Sequence, residues 1–415
     1  MEQWNIIKAH DYCYNVTDGT HDSPKQTEFG KYLITSKHIK DNRIDFESAY
    51  KISEDDYNKI ITRSKVDQWD IIISMIGAYC GFCCIESSKQ TDYAIKNVGL
   101  LKVGNEFKCK WLYYYLTSPH GKQQLSKLRS GSSQPYISLG ALRNLDIPVP
   151  NENTMSDIVS VLSSLDSKIE LNRRINDNLE QQAQALFKSW FVDFEPFKNG
   201  EFVDSELGMI PKGWTIVSLG DITCKFGTGL NPRNNFKLGE GSNFYVTIKN
   251  MNDNRIYLDN KCDRVTDEAI KIINKRSKLQ KGDLLFSGIG TIGRVAMITE
   301  EPLNWNTSES IFNMHPEADY SSEFLYTLLL SSQLQSFVRI HAQGGVQQGI
   351  RMASLKSFLI ALPEMSVLQD FDKLVIPIIS SIRKNDKEID NLSSIRDALL
   401  PKLMSGELKI NDLNC

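Results

Sequence analysis

Few residues in this 415-residue chain stand in patterns that could do chemistry. Cys80, Cys83 and Cys84 form a C-x-x-C-C cluster with Cys109 downstream, a spacing that could hold zinc through thiolates. Phe286-Ser287-Gly288-Ile289-Gly290-Thr291-Ile292-Gly293 contains G-x-G-x-x-G, which cradles a dinucleotide phosphate when it opens a helix. It also contains F-x-G-x-G, a pattern of S-adenosylmethionine sites. The run continues into Arg294-Val295-Ala296-Met297-Ile298, which reads as a strand, so a β-turn between strands is expected instead. No N-P-P-[YF] or D-P-P-[YF] motif is present to hold a target amine. No phosphate-binding G-x-x-x-x-G-K-[ST] and no H-E-x-x-H is present, and the six histidines are scattered. The sequence predicts no catalytic residue.

Basic and amide side chains offer a different chemistry. Lys37, Lys40, Asn42 and Arg43 form one set; Lys249, Asn250, Asn254 and Arg255 form another. Arg and Lys suit phosphates or guanine, and Asn and Gln suit adenine. Asp41 and Asp253 would repel phosphate, so a solvated turn accounts for these segments equally well. Two glycine-bearing loops add Arg129, Ser133, Gln134 and Tyr136, and Gln343, Gln347, Gln348 and Arg351. Arg63 and Lys65, Arg276 and Lys278, and Thr291 and Arg294 beside the glycine turn complete the candidate DNA-binding set.

These sets come in pairs because the chain repeats itself. Thr35-Ser36-Lys37-His38-Ile39-Lys40-Asp41-Asn42-Arg43-Ile44 returns as Thr247-Ile248-Lys249-Asn250-Met251-Asn252-Asp253-Asn254-Arg255-Ile256, and Arg63-Ser64-Lys65 as Arg276-Ser277-Lys278. Asp70, Ser74 and Gly77 recur as Asp283, Ser287 and Gly290, and Gly131, Gln134 and Pro150 as Gly344, Gln347 and Pro363. So long a period excludes a solenoid and implies a duplicated domain related by a local two-fold axis. The repeat also argues against zinc: Cys80, Cys83 and Cys84 correspond to Gly293, Ala296 and Met297. Buried strand thiols are expected, with no metal.

Each half divides into a globular part with short β-rich runs, such as Asp70-Ile71-Ile72-Ile73-Ser74, and a helical tail. The expected class is α+β, two mixed α/β domains separated by two long antiparallel coiled-coil helices. The boundaries read as 1–150, 151–197, 198–363 (with a linker over 198–211) and 364–415. In the first tail Ile158, Leu165, Asn172, Leu179 and Leu186 are spaced by seven; in the second, Phe371, Ile378, Asn385, Leu392 and Leu399 are. Each seam predicts a helix of about 36 residues, about 54 Å long. Thr154 to Asp157 and Ser366 to Gln369 are the capping candidates. Asn172 and Asn385 are repeat-equivalent polar residues in apolar seams, so they are expected to set register by bonding each other across the axis. Pro377, at the position of Ser164, predicts a kink or break near Lys373 to Pro377. The aromatic end of the first helix, with Phe187, Trp190, Phe191 and Phe194, either packs on the second domain or docks a partner protein.

Bulk properties narrow the class. A net charge of −3 does not advertise nucleic acid, so DNA binding would need basic residues gathered on one face. No apolar run approaches the roughly 20 residues of a membrane span. The first residues lack a secretory signal, and the eight irregular cysteines read as reduced thiols. A cytoplasmic location is expected.

Several short sequences are similar to one family: Asp18-Gly19-Thr20-His21-Asp22-Ser23-Pro24-Lys25, Leu186-Phe187-Lys188-Ser189-Trp190-Phe191-Val192-Asp193-Phe194, Ile210-Pro211-Lys212-Gly213-Trp214, Gly290-Thr291-Ile292-Gly293 and Leu399-Leu400-Pro401-Lys402-Leu403-Met404-Ser405-Gly406-Glu407. With two divergent domains each followed by a long helix, the whole chain resembles the specificity subunits of Type I restriction-modification systems. It departs from the pattern in lacking the Pro-Lys-Gly lead before Trp4 and in having Ala78-Tyr79-Cys80 for Thr-Ile-Gly. The resemblance implies a non-catalytic subunit whose two target-recognition domains read the halves of an interrupted, asymmetric double-stranded DNA site. It implies helices that space the domains and dock two modification (methyltransferase) subunits. It assigns S-adenosylmethionine to those subunits, and ATP and magnesium to a restriction/translocase subunit, with no cofactor in this chain. A self-contained S-adenosylmethionine-dependent methyltransferase and a coiled-coil scaffold without a DNA role are the competing classes.

Overall fold

The computed structural model describes residues 4–40, 43–131, 134–252, 254–345 and 348–410. The chain forms two compact units, residues 1–172 with 387–415, and residues 173–386. Each long helix is therefore shared, its first half belonging to one unit and its second half to the other. This differs from a division in which the helices stand as segments of their own.

The units use the same plan. In the first, a four-stranded antiparallel sheet runs in the order Asn15–Asp18, Val98–Lys102, Asp70–Ser74, Cys83–Ile85. A second sheet is mixed: Lys31–Thr35 pairs antiparallel with Lys51–Ile52 and parallel with Tyr93–Lys96. The first strand, Asn5–Lys8, closes the fold against the last, Asp146–Val149. The second unit repeats these three pairings with Thr223–Thr228, Ile311–Pro316, Leu284–Ser287 and Val295–Met297; with Asp263–Val265, Asn243–Val246 and Trp305–Thr307; and with Thr215–Ser218 and Leu359–Leu362.

The central strands explain their own composition. Asp70–Ser74 is buried along its whole length, and alternate side chains enter different cores: Ile71 and Ile73 one, Ile72 another. Leu284 and Phe286 part from Leu285 in the same way. A strand covered on both faces needs a continuous apolar run instead of alternation. Cys83 and Cys84 follow this rule, pointing into separate apolar cores. Burial pushes the Cys83 thiol up to about 12.

The long helices are Glu152–Phe191 and Met365–Met404, 40 residues each, or about 60 Å. The first starts earlier than the candidate caps, because Asn151 Oδ1 accepts from Thr154 N at 2.9 Å. Within each unit the two run antiparallel. In the first, Asp166 meets Arg396 at 2.9 Å and Asn172 meets Glu388 at 2.9 Å; in the second, Asn176 meets Asp386 at 3.0 Å and Phe187 meets Phe371. The expected mutual Asn172–Asn385 bond gives way to separate pairs. Asn172 donates to Glu388, and Asn385 donates to Asn176 Oδ1 at 2.8 Å. Both asparagines still place polar bonds in the seam, each inside its own unit.

The expected break at Pro377 is also replaced. The second helix is continuous through it. Pro377 and Lys373, whose carbonyl loses its donor, both lie on the exposed face, where solvent can satisfy the carbonyl. The predicted linker over 198–211 contains a hairpin, Phe202–Ser205 with Gly208–Pro211. Ser205 Oγ donates to Gly208 O at 2.6 Å and closes its turn.

Candidate nucleic-acid interface

Three of the predicted segments converge in each unit. In the first, the turn Ser36–His38 adjoins the turn Gly77–Tyr79. The loop from Arg129 joins them: Gly77 N donates to Pro135 O at 2.9 Å, and Ile76 bridges Tyr136. In the second, Arg294 Nη1 donates to Ile248 O at 3.1 Å and also bonds Met251 O. Gly290 N donates to Gln348 O at 2.8 Å, and Ile289 bridges Gly349. The glycine-rich run lies between strands, with Ser287 Oγ accepting from Arg294 N at 2.8 Å and donating to Thr291 O at 2.6 Å. It opens no helix, as its sequence context requires. Gly293, at φ +91°, holds a left-handed backbone in which a side chain would be strained.

Exposure divides the candidate residues. Lys37, Arg129, Gln134, Tyr136, Lys249, Thr291, Gln343, Gln348 and Arg351 are exposed in this cluster or beside it. Arg129 also anchors the loop, its Nη2 donating to Cys80 O at 2.6 Å. Asn42, Ser133 and Gln347 lie outside the described residues.

The remaining candidates are engaged by the protein itself. Asn250 is a buried cap: its Oδ1 accepts from Thr247 N at 2.9 Å. His38, its counterpart, does the same through Nδ1, accepting from Thr35 N at 2.9 Å. Burial, and then the Lys37 cation, hold His38 below its usual value, so the neutral ring that can accept this bond is favoured. Asn254, at φ +54°, gives both its bonds to the Glu180 carboxylate at 2.8 and 2.9 Å, and Arg255 lies 3.8 Å from Asp386. Arg43 lies 3.6 Å from Glu170, and Lys40 pairs with Asp45 at 2.9 Å. Much of the repeated Thr35 and Thr247 motif is thus a turn cap and a hairpin braced on a long helix. For Asn250, Asn254, Arg255 and Arg294 the DNA-contact assignment is corrected to a framework role.

Arg63 bonds Asp18, and Arg276 reaches the equivalent Thr228 at 3.2 Å. Asp18 in turn meets His21 Nε2 at 3.1 Å, His21 meets Asn97, and Ser36 donates to Asn97 O at 2.8 Å. A polar chain thus ties Arg63 to the converging turns. Lys65 pairs instead with Asp67 at 3.3 Å, and the backbone of Lys278 accepts from Lys225. Sequence reasoning quoted His21 only within a family motif and missed the exposed Phe82, which packs on Tyr79 at 5.7 Å. A lone histidine and one phenylalanine carry no spacing signal.

The aromatic helix end belongs to the second unit's core. Phe187 and Phe191 are 2% and 5% exposed. Phe191 lies 4.8 Å from Phe371 and 5.4 Å from Phe324; Phe194 packs on Trp214 and Trp190 on Phe197. For Phe187 and Phe191 the partner-docking assignment is corrected to core packing, while Trp190 and Phe194 pack on neighbouring rings and stay half-buried.

Residues 1–181 and 211–389 match the family model of the Type I restriction modification DNA specificity domain. The Type I restriction enzyme MjaIX specificity subunit of Methanocaldococcus jannaschii is 30% identical over 310 residues, covering 73% of this chain and 70% of the relative. The HindI specificity subunit of Haemophilus influenzae is 26% identical over 348 residues, covering 69% and 74%. A solved S subunit of a Type-I restriction-modification system from M. genitalium is 16% identical and covers 96% of each chain, with a TM-score of 0.47. The chain belongs to the Type I restriction-modification DNA specificity family and carries two copies of its domain.

Proposed function

We propose that this specificity subunit reads a bipartite, asymmetric double-stranded DNA site, one half through residues 1–150 and the other through 198–363. The observation that carries this reading is the convergent cluster. The same three segments meet in each unit, the glycine turn and its loop on matching backbone bonds, while their exposed side chains differ. A shared frame gives both domains one mode of approach, and different side chains give different half-sites. In this reading the long helices set the unread gap and dock two adenine-methylating subunits. Those subunits hold S-adenosylmethionine, and a restriction/translocase subunit uses ATP and magnesium. The net charge of −3 fits a chain whose partners share the contact with DNA. The setting is the prokaryotic cytoplasm; among the described residues no helix is long and apolar enough to cross a membrane.

The test is genome-wide detection of modified adenine in cells expressing the chain with its modification subunit, before and after exchanging residues 212–363 for those of another specificity subunit. A bipartite motif in which only one half changes is expected. A well-formed complex that leaves no motif would overturn the reading. Lengthening both helices together is expected to widen the gap and leave both halves unchanged.

A further inference from the structure

One position in the shared loop frame differs in kind between the units. Tyr136 is clamped in a small three-stranded patch. Its N–H donates to Ser130 O at 2.9 Å, its carbonyl accepts from Ser130 N at 2.8 Å, and Ile137 N donates to Met75 O at 2.9 Å. Gly349 is held in the same register. Its N–H donates to Gln343 O at 2.9 Å, its carbonyl accepts from Gln343 N at 2.8 Å, and Ile350 N donates to Gly288 O at 2.9 Å. Gly77 N to Pro135 O and Gly290 N to Gln348 O complete the match. Position by position in the repeat, Ser130, Pro135 and Tyr136 correspond to Gln343, Gln348 and Gly349.

The backbone cannot distinguish the two loops, so their side chains must. Tyr136 leaves an aromatic ring 46% exposed on a fixed backbone. Gly131, at φ +85°, lies against the ring, and a Cβ there would sit 3.5 Å from its Cδ1. A ring held this way loses little conformational freedom on contact. The second unit has no side chain at that position and instead flanks it with two exposed amides, Gln343 and Gln348.

We propose that Tyr136 is a specificity-determining residue of the first domain, its ring packing on a thymine methyl. The second domain, lacking that ring at Gly349, reads adenine there through the amides of Gln343 and Gln348. An apolar surface is suited to the C5-methyl of thymine, and a glutamine amide to N6 and N7 of adenine. The inference rests on the two-half-site reading above.

The experiment uses the assembled methyltransferase complex and duplexes carrying its own motif. Thymines in the first half-site are replaced singly by uracil, which lacks only the methyl group. One replacement is expected to weaken binding about fourfold in the wild type and in Tyr136→Phe, and to have no effect in Tyr136→Ala. Gln343→Ala and Gln348→Ala are expected to relax the second half-site alone. Equal uracil sensitivity in Tyr136→Ala, or none in the wild type, with bipartite binding intact, overturns the proposal. Should Tyr136→Ala not fold, Tyr136→Ser decides in its place: lost uracil sensitivity supports the contact and unchanged sensitivity overturns it. A wild-type complex without any sequence preference removes the half-site reading itself.

Discussion

Phe371→Ala separates an aromatic core from an aromatic docking surface. Phe371 is fully buried, with ring centroids of Phe191 at 4.8 Å, Trp190 at 5.7 Å, Phe324 at 6.1 Å and Phe187 at 6.2 Å. Truncating a buried Phe costs about 3–5 kcal/mol through lost transfer energy and the cavity left behind. The rings around it come from two helices, Glu152–Phe191 and Ser322–Leu330, and cannot all collapse into the gap, so the upper half of that range is expected. In a domain of this size that corresponds to a melting shift of about 10 °C or more. Tryptophan fluorescence during thermal unfolding reports on the site, because Trp190 and Trp214 lie in this cluster. A chain with two units need not unfold in one step, so the transition seen by those two tryptophans is the one to follow. Trp190→Ala, at a half-buried position, should cost less. A shift under 2 °C in Phe371→Ala, accompanied by loss of modification-subunit binding, would refute the core assignment and restore the docking one.

Lys40, and then Ser48, hold the Asp45 carboxyl at about 2. Its bonds therefore contribute stability above about pH 4 and lose it as pH falls through about 2; a carboxyl NMR titration should show that midpoint, moving upward in Lys40→Ala. Pro377→Ser, which restores the residue type of Ser164, is expected to stabilise the second unit by about 1–3 kcal/mol, read as a higher melting temperature; an unchanged melt would mean that the helix had already relaxed around the proline. Asn172→Ala removes the donor to Glu388 in a buried seam and should cost the first unit about 1–3 kcal/mol in denaturant titrations; no measurable change would show Lys168, 3.6 Å away, to be sufficient for that carboxylate.

The duplication, the long helices and the mixed sheets were legible because each is a pattern over many residues. Heptad spacing survives a single Pro377, and a repeat survives one insertion. The misreadings share a physical origin. Asn250, Asn254, Arg255 and Arg294 carry groups that bind DNA and cap turns equally well, and only the fold shows which bonds they make. Phe187 and Phe191 read as a surplus of apolar residues on a helix end because the faces that cover them, at Phe324 and Phe371, lie far along the chain. The two asparagines were placed by symmetry, but the nearest bonding groups, Glu388 and Asn176, sit one turn or less away and take the bonds first.

What the repeat keeps and what it releases separates frame from function. Asp70 and Asp283 are fully buried in equivalent places, each accepting from the backbone of its own turn, Asp67 N at 2.8 Å and Gln280 N at 3.1 Å. Their counter-ions differ. Lys102, on a strand paired with that of Asp70, bonds it at 2.7 Å; burial works to lower the Lys102 value, but Asp67 and Asp70 outweigh it and raise it. His315 stands where Lys102 stands, and Asp283 takes its main cation from Lys225 on the neighbouring edge strand, at 2.6 Å. A buried carboxylate stripped of its partner costs several kcal/mol, so a cation must be supplied, but either strand can supply it. The two copies therefore share the anion and the turn and differ in the source of the charge. At Tyr136 and Gly349 the side chain itself differs in the same way. The clamping bonds are all backbone bonds, so the fold does not require the ring, and a residue that the fold does not require is available to be chosen by the DNA.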